Sequence, residues 1–124
     1  MVQTDNIMRG DWLFYRGKVN AFPFQVEQIA KREFGYYAEP EENRMYYLPR
    51  DEVFPIPLTE EFMRKNYPDP KEIVWYSLDE QPGFFNIFWE YPTFGEGEVN
   101  LNIQYVHELQ HILKMIGMTK KIKL

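Results

Sequence analysis

Apolar and aromatic residues run in short blocks between turn residues for most of the chain, and take helical spacing only beyond residue 104. Flat and β-branched side chains pack well on a pleated surface, so these blocks predict strands. Residues 10–18 (GDWLFYRGK) read as a strand running into a Gly-containing turn, and 21–26 place apolar side chains at Phe22, Phe24 and Val26. Pro23 then belongs on an edge or at a bulge, because it has no N–H to give to a ladder. Residues 33–38 and 44–48 predict a third and fourth strand around the acidic turn 39–43. Four short strands so closely spaced suggest a small barrel.

Residues 51–58 are held extended by Pro55 and Pro57, and at 59 the pattern changes. Thr59 can accept the free N–H groups of a first helical turn, Glu60 and Glu61 suit the positive end of its dipole, and Leu58 can staple onto Met63. Asn66 and Pro68 end this helix after about two turns. Residues 73–78, 84–91 and 99–103 then predict three strands. In the last, Val99, Leu101 and Ile103 face one way and Asn100, Asn102 and Gln104 the other. At 100° per residue, Tyr105, Val106, Leu109, Ile112, Leu113 and Ile116 fall within an arc of about 120°, a core-facing helical stripe. Lys114 suits the last turn of that helix and Gly117 the position just past it.

The chain has 124 residues, 10 Phe, 9 Tyr, 3 Trp and no Cys. This length predicts a single domain over 1–124, with a barrel-like half (1–58) and a second half (59–124), each small for a core of its own. The absence of cysteine excludes a disulfide scaffold, a Cys-ligated zinc or iron–sulfur site and a thiol nucleophile. The first residues lack the basic and apolar regions of a signal peptide, and no apolar run approaches the ~18 residues of a membrane span. The expectation is a cytoplasmic protein with no membrane contact.

Charge is unevenly laid down within a net −5. Between Asn66 and Leu113 the only cation is Lys71, against Asp69, Glu72, Asp79, Glu80, Glu90, Glu96, Glu98 and Glu108. Lys114, Lys120, Lys121 and Lys123 follow with no acid among them, and a solvated basic end is the expectation for this tail. An acidic body makes nucleic acid an improbable partner, since that affinity comes from Lys and Arg displacing counterions.

His107-Glu108-Leu109-Gln110-His111 matches H-E-x-x-H on the segment read as helical from its apolar period. In zincins the two histidines project from one helix face onto zinc while the Glu polarises the bound water. Here the spacing puts His107 and His111 together on the face opposite the apolar stripe. The rest of the requirement fails. A catalytic zinc needs three protein ligands, and these are the only two histidines. After His111 no acid or histidine follows, and Lys114 and Gly117 replace the Gly and third His of the metzincin extension. Glu90, Glu96 or Glu98 could complete a ligand set only by an unusual topology. A solvated or capping helix face is therefore the expectation, with no metal, no cofactor and no catalytic residue. The alternative is a minimal zinc hydrolase with His107 and His111 as ligands and Glu108 as base.

Other constellations are weaker. Ser77 is the only serine, on a predicted strand without a Gly-x-Ser-x-Gly elbow. The seven glycines form no phosphate-binding loop. Arg9-Gly10-Asp11 is the integrin-ligand tripeptide, but reads as a polar turn before a strand. Glu41-Glu42 and Asp79-Glu80 are adjacent acids in turns, which point apart. Trp12, Phe14, Phe22, Phe24, Tyr36, Tyr37, Tyr46 and Tyr47 read as core and cross-strand pairs, or as a base-stacking or proline-peptide platform on a small barrel.

Three segments, 9–18 (RGDWLFYRGK), 55–61 (PIPLTEE) and 105–111 (YVHELQH), together resemble a group of small uncharacterised proteins of Bacteroides-type gut bacteria and their phages or mobile elements. The resemblance implies a helix segment of the form Val-His-x-Leu-Gln-x, with Gln and Asn frequent at positions 108 and 111. It brings no assigned activity. Segment 9–18 is also similar to the opening strand of SH3-like and KOW-type barrels, where Gly-Asp precedes an alternating strand.

The reading is a strand-rich α+β chain: an SH3-like partly open barrel, a short helix, and a three-stranded antiparallel sheet covered by a C-terminal helix. The expected function is that of a non-enzymatic interaction or accessory protein of a phage or mobile element, with an unidentified protein partner or self-association. The zinc hydrolase and a nucleic-acid accessory protein using the barrel and the 120–123 tail are the alternatives.

Overall fold

The computed structural model describes residues 6–39, 41, 43–66, 74–90, 98–115 and 122–124. Among the described residues the fold is mixed α+β, with strands in small antiparallel sheets and two α-helices. In the first half, β1 (Trp12–Arg16) lies between β2 (Ala21–Gln25) and β6 (Val53–Pro55), and β4 (Glu33–Tyr37) lies between β3 (Gln28–Ile29) and β5 (Met45–Pro49). Among the described residues these stay two separate three-stranded sheets and close into no barrel. They share one core of Ile7, Leu13, Phe24, Val26, Phe34, Leu48 and Val53.

The alternation behind the predicted strands is physical here. Leu13 pairs with Phe24 across β1–β2, and Phe34 with Leu48 across β4–β5; all four side chains are buried. Pro23 is on an edge strand, as its missing N–H requires. The segment 53–55, expected only to be extended, is instead the third strand of the first sheet, where Val53 is fully buried opposite Tyr15. Three residues are too few to show a period of two, which is why β6 and the two-residue β3 were not legible.

The second half starts at α1 (Glu60–Asn66), capped by Thr59 Oγ1, which accepts the Phe62 N–H at 3.1 Å. Strands β7 (Val74–Leu78), β8 (Phe85–Glu90) and β9 (Glu98–Ile103) follow in that spatial order, and α2 (Val106–Met115) closes the element order. Its apolar stripe is the one expected: Val106, Leu109, Ile112 and Leu113 are buried with Leu58, Met63, Phe85, Ile87 and Ile103. Ile116 lies outside the described residues.

Where the basic tail is described its lysines are solvated as expected, Lys114 and Lys123 both being exposed, but its backbone is tied down. Ile122 packs against the second core, and buried Asn66 brackets the backbone of Lys123, donating to its carbonyl at 2.9 Å and accepting from its N–H at 2.8 Å. One amide side chain thus imitates a strand neighbour. Lys120 and Lys121 lie outside the described residues. Among the described residues no helix is long and apolar enough to cross a membrane.

Candidate functional site

The two halves meet along a seam between the turn before β1 and the start of α2. Backbone bonds stitch one end of it: Leu58 N–H donates to Gln104 O and Val106 N–H to Ile56 O, each at 2.9 Å, around an antiparallel bridge between Pro57 and Tyr105. Side chains stitch the other. Gln110 Oε1 accepts the Trp12 N–H at 2.8 Å, and Gln110 Nε2 donates to Gly10 O at 3.0 Å. His111 Nε2 lies 2.7 Å from Asp11 Oδ2, which also accepts the Met8 N–H at 2.8 Å. A carboxylate only accepts, so the proton of the first bond sits on His111 Nε2. Segments 9–18, 55–61 and 105–111 converge on this seam.

Of the expected solvated or capping face, this geometry corrects the solvated part, while Glu108 does cap. His107 is only 5% exposed. Its ring stacks on Tyr105 at 5.8 Å and meets the edge of His111 at 5.7 Å. The reason is tertiary: the turn around Asp11 covers the side of α2 that faces away from the apolar stripe. His107 Nδ1 is buried with no hydrogen-bond partner. Burial pushes its pKa below the ordinary histidine value, outweighing the opposite pull of Asp11.

Glu108 caps its own helix. Its Oε1 accepts the N–H groups of Gln104 at 3.1 Å and Tyr105 at 3.0 Å, satisfying donors at the helix start. Of the candidate third ligands, Glu90 and Glu98 are register partners on β8 and β9, and Glu96 lies outside the described residues. Among the described residues no group of three or more His, Asp or Glu is placed to hold a metal ion. The H-E-x-x-H residues therefore act as a buried ring, a helix cap and a carboxylate partner.

Arg9-Gly10-Asp11 is equally structural. Gly10 has φ +93°, a left-handed conformation that favours glycine, and Asp11 is 2% exposed. Arg9 pairs with Glu27. No carboxylate is presented outward, as integrin-type recognition would need.

A second feature is open. A cleft of 510 Å³ at the free edge of β2 is lined by Trp12, Phe22, Pro23, Phe24, Gln25, Tyr36, Tyr37 and Ala38. Five of the eight aromatics read from the sequence as a platform meet here. Phe14, Tyr46 and Tyr47 do not line it. Tyr36 is wedged between Phe22 and Phe24, with ring centres 5.7 and 5.5 Å away, and Tyr15 and Tyr46 extend the row. Burial raises the Tyr36 pKa, with the nearby Tyr46 adding to it, so the hydroxyl stays a protonated donor.

Sequence reading missed Gln25 and Ala38. Asp11 and Gln110 were legible only as parts of a polar turn before a strand and of the helix signature that the resemblance implies, and their contacts with His111, Gly10 and Trp12 were not. Ser77 is on β7 and Asp79 in the turn beyond it, where its carboxylate binds the Gln81 N–H and the Asn86 amide. No protein family, curated protein or solved structure matches the chain.

Proposed function

We propose that the chain is a non-enzymatic cytoplasmic interaction protein of a phage or mobile element. In this reading its first half is an SH3-like, partly open barrel that docks a partner protein. The observation that carries the reading is the aromatic cleft. Four half-buried rings and an exposed proline gather at one sheet edge, the kind of apolar concavity that protein-docking surfaces use. Two three-stranded sheets around one core support the barrel assignment. The structural employment of Asp11, Glu108 and His111 supports binding rather than hydrolysis. A net charge of −5 favours a protein partner over nucleic acid.

Gln25, exposed on the cleft wall, is the position for a photo-cross-linking residue; Val19, 91% exposed on the hairpin turn, is the control. Irradiation in host cells is expected to give a discrete adduct from position 25 and none from position 19. An adduct with the same chain would identify self-association. Equal labelling from both positions, or none from either, rejects the cleft as the interaction surface. Stoichiometric zinc in untagged protein, measured by elemental mass spectrometry, would restore the hydrolase.

A further inference from the structure

We infer that Gln110, on α2, is a positioning residue for the cleft: it holds Trp12 and Gly10 by their backbones, so the second half of the chain sets part of a binding wall in the first. This rests on the reading of the cleft as an interaction surface and adds how that surface is assembled and controlled.

The lining comes in two parts. Phe22 and Phe24 pack on Tyr36 with ring centres 5.7 and 5.5 Å away, so the first half fixes these three by itself. Trp12 and Gln25 are different. They are register partners across β1–β2, and Trp12 is half-buried against the core of the second half while it also lines the cleft. A side chain shared in this way takes its position from both halves.

The backbone shows how. Val26 N–H donates to Asp11 O at 2.9 Å, so the Asp11 carbonyl points at β2 and, by strand alternation, the Trp12 N–H points to the opposite side. On that side β6 reaches only as far as Pro55, opposite Leu13. The Trp12 N–H therefore lies beyond the last rung, and Gln110 Oε1 accepts it at 2.8 Å. The same amide donates from Nε2 to Gly10 O at 3.0 Å, so one side chain brackets residues 10 and 12 as a neighbouring strand would. Gly10 O accepts a second amide, Gln25 Nε2, at 3.2 Å. That carbonyl is a junction between α2 and the exposed Gln25 on the cleft wall.

Loss of Gln110 leaves the Trp12 N–H without its partner, but the Asp11–His111 bond at 2.7 Å still holds the turn before β1 to α2. The fold then survives while the Trp12–Gln25 wall shifts. Occupancy of the cleft and closure of this end of the seam favour each other by one common factor, because a ligand that needs the wall in place also selects the Gln110 bonds.

The test compares Gln110→Met, which keeps the length of the side chain and removes both bonds, with Asn66→Ala, which loosens the second half away from the seam. Both are made in the full chain, and circular dichroism checks that each is folded. A photo-cross-linking residue at Ala38, exposed on the cleft lining, reports docking in host cells and leaves Gln25 in place. Gln110→Met is expected to lower the adduct yield about threefold to tenfold, and Asn66→Ala to leave it within about twofold of the parent. In the isolated protein, Gln110→Met should move the Trp12 indole and Gln25 side-chain amide resonances while the backbone amides of Phe34 and Leu48 stay in place. In purified adduct the Trp12 N–H should exchange with solvent more slowly than in the free chain. Unmoved Trp12 indole and Gln25 signals, an equal loss of adduct in both variants, or equal exchange in adduct and free chain would each overturn the proposal. If the parent chain gives no adduct, the interaction-surface reading fails; the resonances need no partner and still decide whether Gln110 positions the wall.

Discussion

Asp11 and His111 stand 100 positions apart in sequence and 2.7 Å apart in space, and their bond joins the strand half of the molecule to the helix of the other half. The carboxylate is almost fully buried, and it also holds the Met8 N–H. Removing it would strand two donors at once. Asp11→Ala is expected to cost about 2–4 kcal/mol, measured by urea unfolding. His111→Gln places an amide nitrogen close to the position of Nε2 and should cost less than His111→Leu, which leaves a buried carboxylate short of a donor. Equal losses for the two His111 variants would show that the bond contributes nothing.

Glu108 separates the capping role from the catalytic one. Glu108→Gln keeps an acceptor oxygen for the N–H groups of Gln104 and Tyr105, so its stability should stay within about 0.5 kcal/mol of the parent. Glu108→Ala removes the cap and is expected to cost about 1 kcal/mol in thermal or urea unfolding. A metal-water base would show the opposite sensitivity, since Glu108→Gln would abolish hydrolysis without disturbing the fold.

His107 predicts a stability change on mild acidification. Its folded pKa is held below the ordinary value of 6.5, chiefly by burial. As pH falls through about 6.5 the unfolded chain takes up a proton there and the folded chain does not, so stability is full above that pH and declines below it. The decline ends once the folded group also protonates. One proton corresponds to at most about 1.4 kcal/mol per pH unit. His107→Leu, which removes an unpartnered buried nitrogen, should flatten the difference between urea unfolding at pH 7.5 and at pH 5.5. An unchanged difference would place the titration elsewhere.

Asn66 pins the segment 122–124 through two bonds to Lys123, and a third, at 2.9 Å to Phe62 O, anchors the amide on α1. Asn66→Ala is expected to lower stability by about 1–3 kcal/mol and to speed hydrogen exchange at Lys123 before the rest of the second core is affected. Exchange that rises only with global unfolding would mean that Ile122 packing alone holds the segment.

Gly10 combines φ +93° with open space around an added Cβ, so backbone conformation alone opposes a side chain there. Gly10→Ala should cost about 1–2 kcal/mol, and Gly10→Asn less, because Asn tolerates the left-handed region. Calorimetric melting of the two variants checks this ordering.

Much of the element plan was legible because it is written in local periods. Leu13, Phe24, Phe34 and Leu48 recur at strand spacing and are buried; Val106, Leu109, Ile112 and Leu113 recur at helix spacing and are buried. Thr59 was legible as a cap because a hydroxyl before two acids has one economical use. β6 was hidden because three residues carry no period, and its pairing with β1 depends on a chain reversal some 40 residues long.

The sequence alone determined which face of each long element is apolar, where helices start, and that two histidines and a glutamate share one stretch of α2. It also determined what is missing: cysteine, a third histidine, and any acid after Glu108. Only tertiary structure decided what covers the second face of that helix. A histidine at that spacing looks the same in sequence whether it meets water, a metal or a distant carboxylate. Here Asp11 meets His111, Gln110 bonds Gly10 and Trp12, and His107 is enclosed. The cleft is likewise a product of folding, because an edge strand centred on Pro23 and a row of rings from two sheets become one site only when those sheets share a core.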